Sequence, residues 1–204
     1  MTLALDKNAL RMAARNWSLP EGEDAHAESE KVCRRVEALE AFQAARVVML
    51  YWPLSEREVN LGYLARAALA LGKTVCVPRV VWNERRMDAA SIPEWDERHI
   101  VRDGKGVPGP NPTLPVVPDD QVKLVITPGL AFDPHGGRLG RGGGFYDRFL
   151  VRVGGAARVG VAFDTQIIAA VPMDRHDVYM HVVVTPSWTI VAPPAAENTG
   201  PVPA

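Results

Sequence analysis

The chain is poor in cysteine, modest in aromatics and without a dominant charge. Two cysteines, Cys33 and Cys76, occur in 204 residues, each alone in an apolar or helical run. With no CxxC pair and no Cys/His cluster, a structural zinc site or thiol redox motif is not expected, and both thiols read as buried in a reducing cytosol. Lys and Arg number 23 against 24 Asp and Glu. So even a balance calls for no nucleic acid and no anionic membrane as partner. No apolar run approaches the roughly 20 residues that span a bilayer. The opening stretch, MTLALDKNALRMAARNW, carries Asp6 and Lys7 and lacks an apolar centre. It does not read as a signal peptide, and the expected location is cytoplasmic.

What is present is ordinary globular material: 47% hydrophobic and 23% charged residues. A compact chain of this length buries roughly 70% of its unfolded surface, enough for a core without disulfides. We expect one α/β domain over residues 1–190 and a disordered Pro/Ala-rich tail over 191–204.

Hydrophobic periodicity predicts the elements. An N-terminal helix carries Leu10 among Lys7, Arg11 and Arg15 and ends before Pro20-Glu21-Gly22. Val32, Val36, Leu39 and Phe42 recur at helical spacing and predict one helix from Ala25 to Ala45. The continuous run Val47 to Trp52, stopped by Pro53, reads as a strand buried on both faces, the kind found in parallel sheets. A helix follows from Val59 to Leu71, closed by Gly72, and then a strand from Thr74 to Val77. Val80 to Ala90 suits a further strand or hairpin arm with Trp82 and Met87. Pro and Gly crowd Gly104 to Pro118, which reads as a long surface loop. Strands are expected at Val122–Thr127, Arg158–Phe163 and His181–Thr185, with a helix from Gly143 to Val153. The sum is a three-layer α/β sandwich around a mostly parallel central sheet.

The informative stretch runs from Thr127 to Leu150, TPGLAFDPHGGRLGRGGGFYDRFL, between a strand and a helix. Glycines let successive backbone N–H groups turn inward and keep side chains away from a ligand. The following helix adds the positive end of its dipole, and Arg138 and Arg141 supply forked donors. Such a design suits a polyphosphate. It is neither a Walker A loop, lacking Gly-Lys-Ser/Thr, nor the dinucleotide-binding fingerprint. The bland reading is a flexible glycine-rich loop.

The same stretch resembles the signature of the 5-formyltetrahydrofolate cyclo-ligase family: Pro-Gly, Phe-Asp, Arg-Leu-Gly, a glycine turn, an aromatic pair and Asp. The resemblance extends to Lys7 and Arg11, to Glu58-Val59, to Val77-Pro78-Arg79, and to Val171-Pro172 followed by His176-Asp177. It implies a fold like that of sugar-phosphate isomerases and CoA-transferases; the sequence does not give the oligomeric state, and a monomer is expected. It also implies the conversion of 5-formyltetrahydrofolate to 5,10-methenyltetrahydrofolate with ATP as co-substrate and Mg²⁺ as metal. In that chemistry the formyl oxygen takes up the terminal phosphate of ATP. A neighbouring folate nitrogen then closes the ring, releasing ADP and phosphate.

Carried onto this sequence, the resemblance gives ATP to Lys7, Arg11, Arg138, Leu139, Gly140, Arg141, Gly142, Gly143, Gly144, Phe145 and Tyr146. It gives folate to Pro53, Glu58, Gly142, Phe145 and Tyr146, catalysis to Arg141 and Tyr146, and metal to Asp147 and Asp177. Trp52 and Pro53 are expected to flank the pterin. Two positions depart from the family pattern. His181 stands where many members carry an acid, and the loop from Gly104 to Pro110 lacks a Trp that several have. Two other readings stand beside this one: a non-catalytic or regulatory relative binding a nucleotide on the same fold, and an isomerase or CoA-transferase-like enzyme.

Overall fold

The apolar runs are buried on both sides because each is covered on both sides. A computed structural model of the chain describes residues 6–14 and 17–193. In chain order the elements are α1 (Lys7–Ala14), α2 (Ala25–Glu37), α3 (Glu40–Ala44), β1 (Val47–Met49), α4 (Gly62–Ala70), β2 (Thr74–Val81), β3 (Arg86–Ile92), β4 (Ile100–Arg102), β5 (Pro108–Pro110), β6 (Leu124–Thr127), β7 (Ala131–Phe132), β8 (Arg138–Leu139), α5 (Phe145–Arg152), β9 (Ala157–Val161), β10 (Val182–Val184) and β11 (Thr189–Val191). Seven strands make one sheet in the order β11-β10-β9-β6-β1-β2-β3. The five inner strands run parallel, and the edge strands β11 and β3 run antiparallel to their neighbours.

Alternation along each strand divides the core. Val48 and Leu50, Leu124 and Ile126, and Val75 and Val77 pack with Val32 and Cys33 of α2, Phe42 of α3 and Leu64 of α4. Their chain neighbours Met49, Val125 and Cys76 face the other way, onto Phe132, Phe149 and Leu150. Successive strand side chains point to opposite faces, so the sheet separates two helical layers. Among the described residues no helix is long and apolar enough to cross a membrane.

The boundaries depart from the periodicity in several places. The strand expected to stop at Val77 continues through Pro78 to Val81 and pairs with β3 as a hairpin, so Val80 and Val81 belong to β2. The helix expected from Ala25 to Ala45 is two, because Leu39 is extended between α2 and α3 (φ −70°, ψ 136°). The helix expected from Val59 begins at Gly62, where the Asn60 side chain accepts the Gly62 N–H at 2.9 Å and holds a turn instead. The Pro/Gly-rich stretch contains β5, paired with β4 in register Ile100–Pro110, Val101–Gly109 and Arg102–Pro108. Proline is tolerated there because the pair lies outside the main sheet. Finally β11 follows the strand expected to be last, so the sheet ends on an antiparallel edge. Residues 194–204 of the expected tail lie outside the described residues.

Candidate active site

Parallel α/β sheets place ligands beyond the carboxyl ends of their strands. Here β1 runs out into Tyr51 and Trp52, β2 carries Pro78 and Val80, and β6 leads through Thr127 to Pro128 and Gly129. These residues line a cavity of about 870 Å³, large enough for more than one small molecule. The glycine loop forms one wall, and α1 faces it with Lys7, Asn8 and Arg11.

The loop is shaped by two left-handed residues, Gly142 (φ 95°) and Gly144 (φ 62°), of which Gly144 is the N-cap of α5. A side chain would be strained at either position. A Cβ on Gly142 would also sit 3.6 Å from the Arg11 guanidinium. No side chain caps α5. Its first amides and dipole therefore remain for a ligand in the cavity. Arg11 is tied to the loop itself, its Nε donating to the Gly140 carbonyl at 2.9 Å.

Each of the other three expected cations has a carboxylate partner. Lys7 Nζ donates to Asp174 at 2.6 Å and also to Asp177. Burial pulls the Lys7 ammonium down, but the two carboxylates outweigh it and hold it above its ordinary value. Arg138 is almost fully buried and donates from Nη2 to Asp147 Oδ1 at 2.9 Å. The same oxygen accepts the Val178 N–H at 3.3 Å, which brings the segment after Asp177 against Asp147. Arg141, half exposed, donates to Glu58 Oε1 at 2.9 Å, while the buried Glu58 accepts the Leu54 N–H on its other oxygen. In the Lys7–Asp177, Arg138–Asp147 and Arg141–Glu58 pairs a residue expected to hold phosphate meets one expected to hold metal or folate.

The remaining wall is aromatic. Trp52 stacks on Trp95 with centroids 4.5 Å apart, and Trp82 meets Phe145 edge-on at 5.1 Å. Tyr146 lies under the Arg138 guanidinium, and its hydroxyl is buried without a partner among the described residues. Burial, reinforced by the Glu58 charge, pushes that phenol above its ordinary value and keeps it protonated.

Comparisons with known proteins identify the family of the chain. The model of the 5-formyltetrahydrofolate cyclo-ligase family matches residues 5–186. The chain belongs to that family. A probable 5-formyltetrahydrofolate cyclo-ligase of Schizosaccharomyces pombe is 29% identical, covering 92% of this chain and 98% of its own. The 5-formyltetrahydrofolate cyclo-ligase of Mycolicibacterium smegmatis is 34% identical over 73% of this chain and 78% of its own. The solved 5,10-methenyltetrahydrofolate synthetase of Aquifex aeolicus superposes with a TM-score of 0.74 at 28% identity, covering 94% of this chain and 93% of its own.

Of the residues to which the cyclo-ligase resemblance gave a role in binding or catalysis, all but one line the cavity, from Lys7 and Arg11 through Glu58 and the glycine loop to Asp147 and Asp177. Pro53 is the exception: Trp52 and Leu54 line the cavity and Pro53 is not among the lining residues. His181 lies at the start of β10, where its ring meets Arg158, and is not a lining residue. Three residues escaped the sequence reading of this site. Asp174 shares Lys7 with Asp177. Trp82 follows Pro78 and Val80 in the two-residue alternation that brings all three to the cavity, a signal available in the sequence. Asp133, the acid of the Phe-Asp pair, is buried and accepts the N–H groups of His135 (2.8 Å), Gly137 (2.9 Å) and Val171 (2.7 Å). It ties the β7–β8 turn, which presents Arg138, to the segment that leads to Asp174 and Asp177.

Proposed function

We propose that the protein closes 5-formyltetrahydrofolate to 5,10-methenyltetrahydrofolate at the expense of ATP. The observation that carries the reading is the Arg141–Glu58 pair, which stands where a cationic phosphate cradle joins an aromatic pocket. A cyclo-ligase must bring a triphosphate and a pterin to one point, and this pair marks such a point.

Lys7, Arg11, Arg141 and the amides from Gly142 to Tyr146 hold the triphosphate. Phosphoryl transfer asks mainly for positioning and charge neutralisation. Glu58 accepts hydrogen bonds from the pterin's N–H groups, and Trp52 covers its ring. The formyl oxygen attacks the terminal phosphorus, and the bond to ADP breaks. The neighbouring folate nitrogen then attacks the activated formyl carbon and gives up its proton, and the oxygen leaves as phosphate, which takes that proton with it. Tyr146 keeps its proton and donates a hydrogen bond to the oxygen that passes between carbon and phosphorus. Arg141 neutralises the charge that builds on the transferred group.

The donor set fits Mg²⁺. That ion is held by one or two carboxylates together with substrate phosphates. Asp147 and Asp177 both line the cavity, and among the described residues no cluster of three or more His, Cys, Asp or Glu could hold a metal without phosphate. When bound, the ion draws negative charge from the phosphates. Arg138 holds Asp147 in place, as Lys7 holds Asp177.

The size of the cavity suits small-molecule substrates, and a monomer in the cytoplasm is part of the same proposal. The test is the appearance of methenyl product absorbance from purified protein. Turnover with ATP and none without it is expected. Binding of nucleotide without turnover would favour the non-catalytic relative.

A further inference from the structure

Trp95 does not line the cavity, yet it bears on a residue that does. Its ring stacks on Trp52, with centroids 4.5 Å apart and planes inclined by 24°. Trp52 opens the loop that runs to Asn60 and brings Leu54 and Glu58 to the cavity. The base of that loop is closed by other groups. The Tyr51 hydroxyl donates to the Val59 carbonyl at 2.9 Å, and the Asn60 N–H donates to Ser29 Oγ at 3.0 Å. Neither bond reaches the Trp52 ring, which has its stacking partner in Trp95.

Trp95 is itself firmly seated. It packs against the buried cluster that includes Leu61 and Leu64. Gly62, the first residue of α4, leaves space for the indole: a Cβ there would lie 3.2 Å from Nε1. A larger residue at Gly62 would favour the helix but press on the ring. On either side of Trp95, Glu94 and Asp96 both accept from Arg98, at 2.7 Å and 3.0 Å. Asp96 also accepts the Arg98 N–H at 2.8 Å and so caps the short turn from Glu97 to His99. Two acids on one guanidinium hold the chain on both sides of the ring.

We propose that Trp95 is a positioning residue that holds Trp52 as the wall on which the pterin stacks. The inference rests on the cyclo-ligase reading, in which Trp52 covers the pterin and Glu58 accepts its N–H groups. A loop side chain that must be ordered by the ligand lowers affinity, whereas one ordered beforehand does not. Stacked on a seated ring, Trp52 keeps one setting at the cavity wall before folate arrives. Trp95 is not part of the phosphate cradle, so its effect falls on folate and acts through Trp52.

The experiment measures the dissociation constants of 5-formyltetrahydrofolate and of ATP, each alone, by calorimetry on the full chain. The variants are Trp95→Leu, Trp95→Phe, Trp52→Leu and the double change to leucine. Trp95→Leu should weaken folate binding about three- to tenfold, the range of one aromatic pair, and leave ATP affinity at the wild-type level. Trp95→Phe keeps a ring in the stack and should restore most of the loss. The double variant should bind folate no more weakly than Trp52→Leu, because Trp95 has no further effect once its partner is gone. Circular dichroism identifies the stack. Two indoles in contact give an exciton couplet, which should be present in the wild-type chain and absent from Trp95→Leu and Trp52→Leu alike. Absence of the couplet from the wild-type chain overturns the inference. So does equal loss of folate and ATP affinity in Trp95→Leu, an unchanged folate constant in that variant, or additive losses in the double variant; each of these leaves the cyclo-ligase reading standing. Failure of the wild-type chain to bind 5-formyltetrahydrofolate overturns that reading and the inference together.

Discussion

Arg141 and Glu58 meet at 2.9 Å although 83 residues separate them in the chain. One is half exposed, the other buried and held by the Leu54 amide. A ligand that takes Glu58 releases Arg141 for another. Folate and nucleotide should therefore assist each other's binding, and the assistance must be equal in both directions. Glu58→Gln should weaken folate binding by about tenfold or more, since it removes a buried charged acceptor. The same change should leave nucleotide affinity near or above wild type. Parallel titrations of the two ligands check this, and equal loss of both would refute the arrangement.

Arg141→Ala removes the cation without burying an unpaired group beyond Glu58. Loss of a positioned charge at a transferring phosphate costs about 10²-fold in kcat/KM. The effect should fall on ATP dependence, with the KM for folate little moved. Steady-state kinetics with each substrate varied separately will read the difference.

Asp147→Asn should act twice. It should shift the Mg²⁺ titration of activity to higher concentration. It should also strand the buried Arg138, at a cost of about 3 kcal/mol, because a buried charge has lost its partner. In a chain of this size that lowers Tm by roughly 6–12 °C. Thermal unfolding with and without metal separates the two effects, and an unchanged metal titration would remove Asp147 from the metal site.

Asp133 does not line the cavity, yet its three amide bonds tie the turn before Arg138 to the segment that leads to Asp174 and Asp177, both sides of the proposed phosphate cradle. Asp133→Ala should destabilise the fold by about 3 kcal/mol, having left buried N–H groups without acceptors. A positioning role adds a second signature: the KM for ATP should rise while that for folate stays near wild type. Asp133→Asn, which keeps one acceptor oxygen, should recover part of the loss.

Alkaline pH offers a further check. Burial raises Tyr51 well above the ordinary 10.0, and burial with Glu58 raises Tyr146 likewise. A group whose folded pKa lies above its unfolded value contributes fully below the unfolded value and loses that contribution as pH rises. Stability should therefore hold to about pH 10 and fall above it. Of the four tyrosines, Tyr51 and Tyr146 should ionise only as the structure melts. Phenolate absorbance followed alongside circular dichroism will show this. Full ionisation of all four in the folded protein would contradict it.

Much of this was legible in the sequence because the relevant signals are local. The runs at Val47, Thr74 and Leu124 announce parallel strands by being apolar on both faces. The glycine loop announces itself by composition, and its neighbours Arg138, Arg141 and Asp147 fall within one turn of the chain. Hidden from that reading were contacts between distant segments. Nothing near Lys7 indicates that it will meet Asp174, nor does the Phe-Asp pair reveal that Asp133 binds the amide of Val171. Short strands such as β5 and β11 were obscured by proline and brevity, since three residues show too little alternation to be read. Pro53 shows the opposite limit: the resemblance gave it to the folate, but Trp52 and Leu54 on either side of it line the cavity and Pro53 does not, as neighbours in an extended segment face different ways.

Helix α1 has no buried side chain. It rests on Leu10 against Ala131, Leu139 and Val171, and on the bonds of Lys7 and Arg11. Eight residues make a marginal helix without such support. The groups that dock it are the very ones an incoming triphosphate would recruit, so site occupancy and the anchoring of this segment are one equilibrium. Amide hydrogen exchange over residues 7–14 would then act as a clock for residence of the nucleotide, fast in the empty protein and slowed in proportion to the time the cradle is filled.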